Sequence, residues 1–198
     1  MGNQLNWIKS AIIDSLQTKT KLLEDATQLE SINKAATLIA NACADKHKII
    51  FAGNGGSAAD AQHLAAELVS RYQFNRPGLP SMSLSTDTSI ITAIGNDYGY
   101  EFLFSRQIEA QANKGDIFIG ISTSGKSKNI IEAFKRCKSN KIFSIALCGL
   151  DGELDKYADL VIRVPSHSTP RIQECHILIG HMICEFVEKK LFSSMDFK

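Results

Sequence analysis

His63 and Glu67 stand four residues apart in the segment FAGNGGSAADAQHLAAELVSR, residues 51–71. On a helix that spacing brings an imidazole and a carboxylate to one face. Such a pair suits proton transfer or metal ligation; taken alone, a weak surface ion pair is the plainer reading. Just upstream lies the turn Gly53-Asn54-Gly55-Gly56-Ser57, which puts His63 one turn into the helix that follows. Backbone N–H groups of Gly55 and Gly56 can approach an anion closely, Ser57 adds a hydroxyl, and a helix N-terminus faces whatever binds there. Taken alone, the turn fits a phosphate cradle and a tight strand-to-helix connection with Ser57 as N-cap equally well. It is neither a Walker A motif nor a G-x-G-x-x-G fingerprint. Cradle and His/Glu pair side by side would make a site for proton chemistry on a phosphorylated small molecule.

A second turn of the same kind is Ser122-Thr123-Ser124-Gly125-Lys126-Ser127, again after an apolar run and before a helical stretch. Its hydroxyls and amides can wrap a phosphate, and a Ser-rich capped turn is the plainer alternative. Two such turns favour a sugar phosphate over a nucleotide, whose signatures are missing. The segment RIQECHILIGHMICEF carries Gln173, His176 and His181 on an otherwise apolar helix. Gln173 and His181, eight residues apart, lie within about a quarter-turn of each other. His176 reads as a packed or capping residue and His181 as the better candidate for chemistry. Gly95-Asn96-Asp97 forms a polar break after an apolar run; a turn or helix C-cap is expected there, with Asp97 free to bind sugar hydroxyls.

These groups need a scaffold. Apolar residues at helical spacing predict a first helix around Leu5–Leu16 and a second over roughly 24–44. From Lys48 the pattern alternates. Strands are expected at 48–52, 81–85, 116–122, 141–147 and 160–164, with helices after Ser57 and around 88–94, 101–113, 127–138 and 171–191. Short apolar strands alternating with helices predict an α/β, doubly wound, five-stranded and mainly parallel sheet flanked by helices, with ligands beyond the carboxyl ends of the strands. Residues 1–198 read as one domain, in which 1–45 is an N-terminal helical extension used in packing or oligomerisation.

Bulk properties narrow the class. Of the 198 residues 44% are hydrophobic, and the formal net charge is +1, so nothing draws the chain to nucleic acid. Five cysteines without a C-x-x-C spacing suggest free thiols in a reducing cytoplasm. No signal peptide and no apolar run long enough to span a bilayer is found.

GNGGSAADAQH (53–63), Glu67, RPGLP (76–80), GND (95–97), ISTSGKS (121–127), RIQECH (171–176) and His181 jointly resemble the sugar isomerase (SIS) domain family, over nearly the whole chain. Within it the resemblance is to the phosphoheptose isomerases. It implies the SIS fold and conversion of the ketose sedoheptulose 7-phosphate to the aldose D-glycero-D-manno-heptose 7-phosphate through an enediol, the first step of bacterial ADP-heptose synthesis. By the same resemblance Glu67 is the base and His181 the second acid/base. His63, Glu67, Gln173 and His181 would hold one Zn2+ per subunit. Ser57, Ser122, Ser124 and Ser127 would hold the phosphate, with Asn54, Gly55, Gly56, Asn96, Asp97, Thr123 and Gln173 also at the substrate. The family assembles as homotetramers with sites at subunit interfaces. Some members carry an acidic residue where this chain has Pro170. The alternative is a non-catalytic SIS protein that binds the bacterial replication initiator; Glu67, Ser124 and His181 favour the enzyme.

Overall fold

Between Lys48 and Val164, β-branched and aromatic residues cluster in short runs bounded by Gly, Ser, Asp and Lys, which is the composition of buried strands. A computed structural model, describing residues 5–193, gives strands β1 (Ile49–Gly53), β2 (Ser81–Ser83), β3 (Ile117–Ser122), β4 (Phe143–Cys148) and β5 (Leu160–Arg163). The ends of the expected domain, 1–4 and 194–198, lie outside the described residues. All neighbouring strands pair parallel, in the order β2-β1-β3-β4-β5. The described sheet is thus wholly parallel, and the doubly wound expectation holds. Between β1 and β3 the order reverses direction, and the crevice at such a switch point is where ligands bind in open α/β sheets. The two Gly/Ser turns leave these two strands.

Helices are α1 (Asn6–Glu24), α2 (Ala26–Ala44), α3 (Gly56–Val69), α4 (Thr88–Asp97), α5 (Leu103–Gln111), α6 (Lys128–Asn140) and α7 (Thr169–Phe192). Alternate strand residues split into two cores, as the period of 2 requires. Phe51, Ile119 and Leu147 pack with Ile39 of α2, Leu64 of α3 and Ile179 of α7. Ile50, Phe118 and Ala146 pack with Phe104 and Ile108 of α5 and Ile130 and Phe134 of α6.

Asp25 separates the first two helices by capping α2, its side chain accepting from the Gln28 amide at 3.1 Å. Residues of α2 such as Ala35, Ile39 and Ala40 are fully buried, whereas α1 buries only Thr18 and Leu22 and leaves Trp7, Ile12, Leu16 and Leu23 exposed. Helix α1 also runs further than its expected end at Leu16.

The expected break at 95–97 is corrected. Gly95, Asn96 and Asp97 form the last turn of α4, because Asp87 caps that helix by accepting from the Ile90 amide and the Tyr98 amide closes on the Ile94 carbonyl. The left-handed residue that ends the segment is Gly99, at φ +100°. Strand β2 ends at Ser83, two residues early, and the expected 101–113 helix divides into a 3-10 turn (Tyr100–Phe102) and α5.

Candidate active site

The turn after β1 is shaped by close approach. A Cβ on Gly53 would stand 2.3 Å from the Ser57 carbonyl oxygen, and one on Gly56 would stand 2.5 Å from Gln173 Nε2. Gly55, at φ +55°, is the residue that enters α3. Ser57 is therefore not the N-cap: it is the second residue of α3, buried, with its amide donating to the Asn54 carbonyl at 3.0 Å. Gly55 and Gly56 are exposed at the open side of this helix start.

The turn after β3 is closed by Gly125, whose φ is +62° and whose amide donates to the Ser122 carbonyl at 3.0 Å. Ser122 Oγ and Ser127 Oγ are 3.0 Å apart, and the Lys126 amide donates to Ser124 Oγ at 3.2 Å. Ser124 is exposed, and Thr123 and Ser127 are half-buried. Asn54 and the buried Asn129 join the two turns. Each side-chain amide donates to the other's oxygen, at 2.9 and 2.8 Å, and the Tyr100 hydroxyl donates to Asn54 Oδ1 at 3.0 Å. The Asn54 amide is thus engaged in a brace between turns; of the four serines Ser124 is exposed and Ser127 half-buried, while Ser57 and Ser122 are buried beneath them. Asn96 and Asp97 are exposed on α4, where Asn96 Nδ2 donates to Asp97 Oδ1 at 2.8 Å.

Helix α7 lies alongside α3 and runs the same way. Gln173 meets Gly56, and Gly180 meets Leu64, whose Cδ2 a Cβ at Gly180 would approach to 2.4 Å. That small residue lets His181 reach the α3 side chains. His63 stands seven residues past Gly56, two turns into α3 rather than the expected one. Its Nε2 is 3.0 Å from Glu67 Oε1, and its ring centroid is 5.1 Å from that of His181, nearly edge-on. One ligating atom from each of His63, Glu67 and His181 lies within 4.8 Å of the others. Two imidazoles and a carboxylate this close suit a divalent zinc ion. Gln173 stands at the head of the same α3–α7 contact, against Gly56.

Two further groups lie near His63 and His181 without a clear sequence signal, and His176, which the sequence did single out, faces β4 instead. Tyr72 lays its ring 5.6 Å from the His181 centroid. Asp60, one turn before His63, has a buried Oδ2 with no hydrogen-bond partner among the described residues. Desolvation raises its carboxyl pKa, and the neighbouring His63 opposes that. His176 is fully buried, and neither ring nitrogen completes a hydrogen bond among the described residues. Burial pushes its pKa down to about 4; the Cys148 backbone facing the ring pulls it only part of the way back. It is a neutral core residue, as expected.

The sequence and the fold have known counterparts. The SIS domain model matches residues 15–149. The chain belongs to the SIS domain family. It is 54% identical over 193 residues to phosphoheptose isomerase 2 of Campylobacter jejuni, covering 97% of this chain and 96% of that protein. The structure of phosphoheptose isomerase from Neisseria gonorrhoeae superposes with a TM-score of 0.87 at 38% identity, covering 94% of this chain and all of that one. That of a phosphoheptose isomerase from Francisella tularensis does so with a TM-score of 0.89 at 34% identity, covering 94% and 99%.

Within this SIS domain Pro170 occupies the first turn of α7, preceded by the N-cap Ser168. A proline costs nothing there, because first-turn amides have no intrahelical partner. The position therefore serves helix initiation and carries no acid. Asn129 lies two residues past the Ser-rich turn that the sequence singles out, and a helix N-terminus beside such a turn is the signal that could have found it. Tyr72 has no such signal; only the docking of α7 on α3 brings it to His181.

Proposed function

We infer that this SIS domain protein is a phosphoheptose isomerase, converting sedoheptulose 7-phosphate to D-glycero-D-manno-heptose 7-phosphate, the entry step to ADP-heptose. The observation that carries the reading is the meeting of Glu67, His63 and His181 beside the switch-point turns, in a chain 54% identical to a protein of that name. In ketose-to-aldose isomerisation a proton leaves C1 and one arrives at C2, while the carbonyl moves from C2 to C1. Glu67 takes the C1 proton to give an enediol and returns it at C2. His181 carries the proton exchanged between the C1 and C2 oxygens. The 3.0 Å contact with His63 Nε2 orients the Glu67 carboxylate. Each well-placed acid or base supplies about 10²–10⁴-fold.

Backbone N–H groups of Gly55 and Gly56, with the hydroxyls of Ser57, Ser122, Ser124 and Ser127, anchor the phosphate at the far end of the sugar. Anchoring there turns remote binding energy into orientation of C1 and C2. Asn96, Asp97 and Thr123 take part in reading the sugar hydroxyls, and Asn54 holds the turns in register. His63, Glu67, Gln173 and His181 are the residues that would hold one Zn2+ per subunit, which when bound supplies Lewis-acid polarisation of the substrate carbonyl. The protein works as a homotetramer in the cytoplasm. Support for assembly comes from the exposed apolar face of α1, where Trp7 is 72% and Leu16 59% accessible. Among the described residues no helix is long and apolar enough to cross a membrane.

The test is incubation with sedoheptulose 7-phosphate in D2O, followed by NMR. Aldose with deuterium at C2 is expected from exchange at an enediol. Absence of any aldose would overturn the reading, and a pull-down of the replication initiator by the same protein would then support the binding-only alternative.

A further inference from the structure

The motif RPGLP, residues 76–80, has no part in the chemistry just described, yet its arginine makes an extensive buried contact set. The side chains of Arg76 and Glu188 are each 1% exposed and paired, Nε donating to Oε1 at 3.1 Å. Apart from an Nη1 bond to the Pro77 carbonyl at 3.0 Å, the remaining guanidinium contacts go to the C-terminal end of α3. Nη2 donates to the Glu67 carbonyl at 2.8 Å, and Nη1 to the carbonyls of Leu68 at 2.6 Å and Ser70 at 3.3 Å. These are the carbonyls a helix end leaves without partners, and a cation there also meets the negative end of the helix dipole. The residue whose carbonyl Nη2 holds is Glu67 itself.

Glu188 completes the link to the other half of the pair. It stands seven residues after His181, two turns along the same face of α7. Its carboxylate accepts from the amides of Tyr72 at 3.0 Å, Gln73 at 2.7 Å and Phe74 at 3.3 Å. Burial alone would raise its pKa, but the three amides and the guanidinium outweigh burial and the net shift is downward. Through those amides the pair holds Tyr72 where its ring lies against His181. Gly78 belongs to the same contact: its Cβ would stand 2.7 Å from the Val69 carbonyl, and the Leu79 amide donates to the Leu68 carbonyl at 3.0 Å.

We propose that Arg76 and Glu188 are positioning residues, a buried ion pair that sets Glu67 and His181 against each other, with Tyr72 as its contact on the imidazole. The inference rests on the reading of Glu67 and His181 as the acid/base pair. The clamp fixes the backbone beneath Glu67 and the ring beside His181 and makes no described contact with the Gly/Ser turns. Its loss therefore falls on turnover and spares substrate affinity.

The test compares Arg76→Lys, which keeps the charge and loses the fork, with Glu188→Gln, Tyr72→Leu and Tyr72→Phe. Kinetics on sedoheptulose 7-phosphate are normalised to the folded fraction from circular dichroism. Misplacing a reacting group by about 1 Å costs on the order of 10²-fold, and that is the expected fall in kcat for Arg76→Lys and Glu188→Gln, with KM within about 3-fold. Tyr72→Leu, which leaves the ion pair and its amides intact, loses about 10-fold, and Tyr72→Phe restores turnover because the ring is what touches His181. A kcat per folded molecule near wild type in Arg76→Lys and Tyr72→Leu, with only the melting temperature lowered, overturns the proposal. So does a rise in KM at unchanged kcat. Wild-type turnover and Glu67→Gln in the same assay report separately on the isomerase reading. Independently of any sugar, the imidazole proton resonances of His181, assigned by comparison with His181→Gln, shift in Arg76→Lys; an unmoved His181 signal overturns the proposal.

Discussion

Helices α3 and α7 touch at two levels, and the two levels are built in opposite ways. At one, His63 and Glu67 expose 47% and 23% of their side chains and bring a ligating atom each within 4.8 Å of one from His181. Two turns further along α7, Arg76 and Glu188 are 1% exposed, and both spend their polar atoms on protein partners. Groups that must exchange protons with a substrate need unfilled hydrogen-bonding capacity and access. Groups that hold a backbone in place need the reverse, because a buried charge is tolerable only when fully satisfied. Placing the dry pair next to the open one lets the same helix contact be rigid where it is closed and reactive where it is not.

The sharpest division between the two levels is activity against stability. Glu67→Gln is expected to lower kcat by about 10²–10⁴-fold while changing KM little, since it removes the base and keeps the shape. Its melting temperature should stay near wild type. Glu188→Ala is the converse at the dry level: it leaves the Arg76 charge without its counter-ion and three amides without a partner, and should cost about 3–5 kcal/mol in urea unfolding. An unfolding midpoint unchanged from wild type would remove the distinction between the two levels.

Acid tests the buried groups selectively. His176 is held neutral with a pKa lowered to about 4 from 6.5, so the unfolded chain takes up its proton first as pH falls. The stability that this neutral ring contributes is full above about 6.5 and is lost as pH drops toward 4, an effect of about 3 kcal/mol. Unfolding free energies of His176→Phe between pH 7 and 5 should show a flatter profile than wild type. Glu188, with its pKa lowered below 4.5, adds a loss only below that value. The smallest effect belongs to the open pair: His63→Gln should alter stability by no more than about 0.5 kcal/mol, as exposed helical pairs do. A larger loss would mean that His63 is held as tightly as the dry pair.

What is legible in the sequence follows from local patterns. Glycines and serines directly after apolar runs mark the two turns at strand ends, and a spacing of four puts His63 beside Glu67 whatever surrounds them. The 95–97 stretch misleads for the same local reason. Gly95 and Asn96 tolerate a turn, but the Asp87 cap and the closure on Ile94 carry the helix through, and Gly99 supplies the left-handed residue instead. Ser57 resembles an N-cap because serine favours that place, while the tight approach at Gly53 goes with a helix start two residues earlier than a Ser57 cap allows. Pairings across long separations leave no local trace. Asn54 and Asn129 are 75 residues apart, and Arg76 and Glu188 are 112 apart.

The amino-acid order by itself determined the alternation of strand and helix, the two anion-friendly turns and the faces on which His63, Glu67 and His181 stand, because periodicity and turn chemistry act over a few residues. Which faces meet was decided by the tertiary structure alone. The parallel pairing of β1 with β3 brings the turns together, the bare backbone at Gly180 lets α7 close on α3, and one buried ion pair holds that closure in register. Such contacts form only when segments distant in the chain exclude water from the same volume, and no local pattern encodes that event.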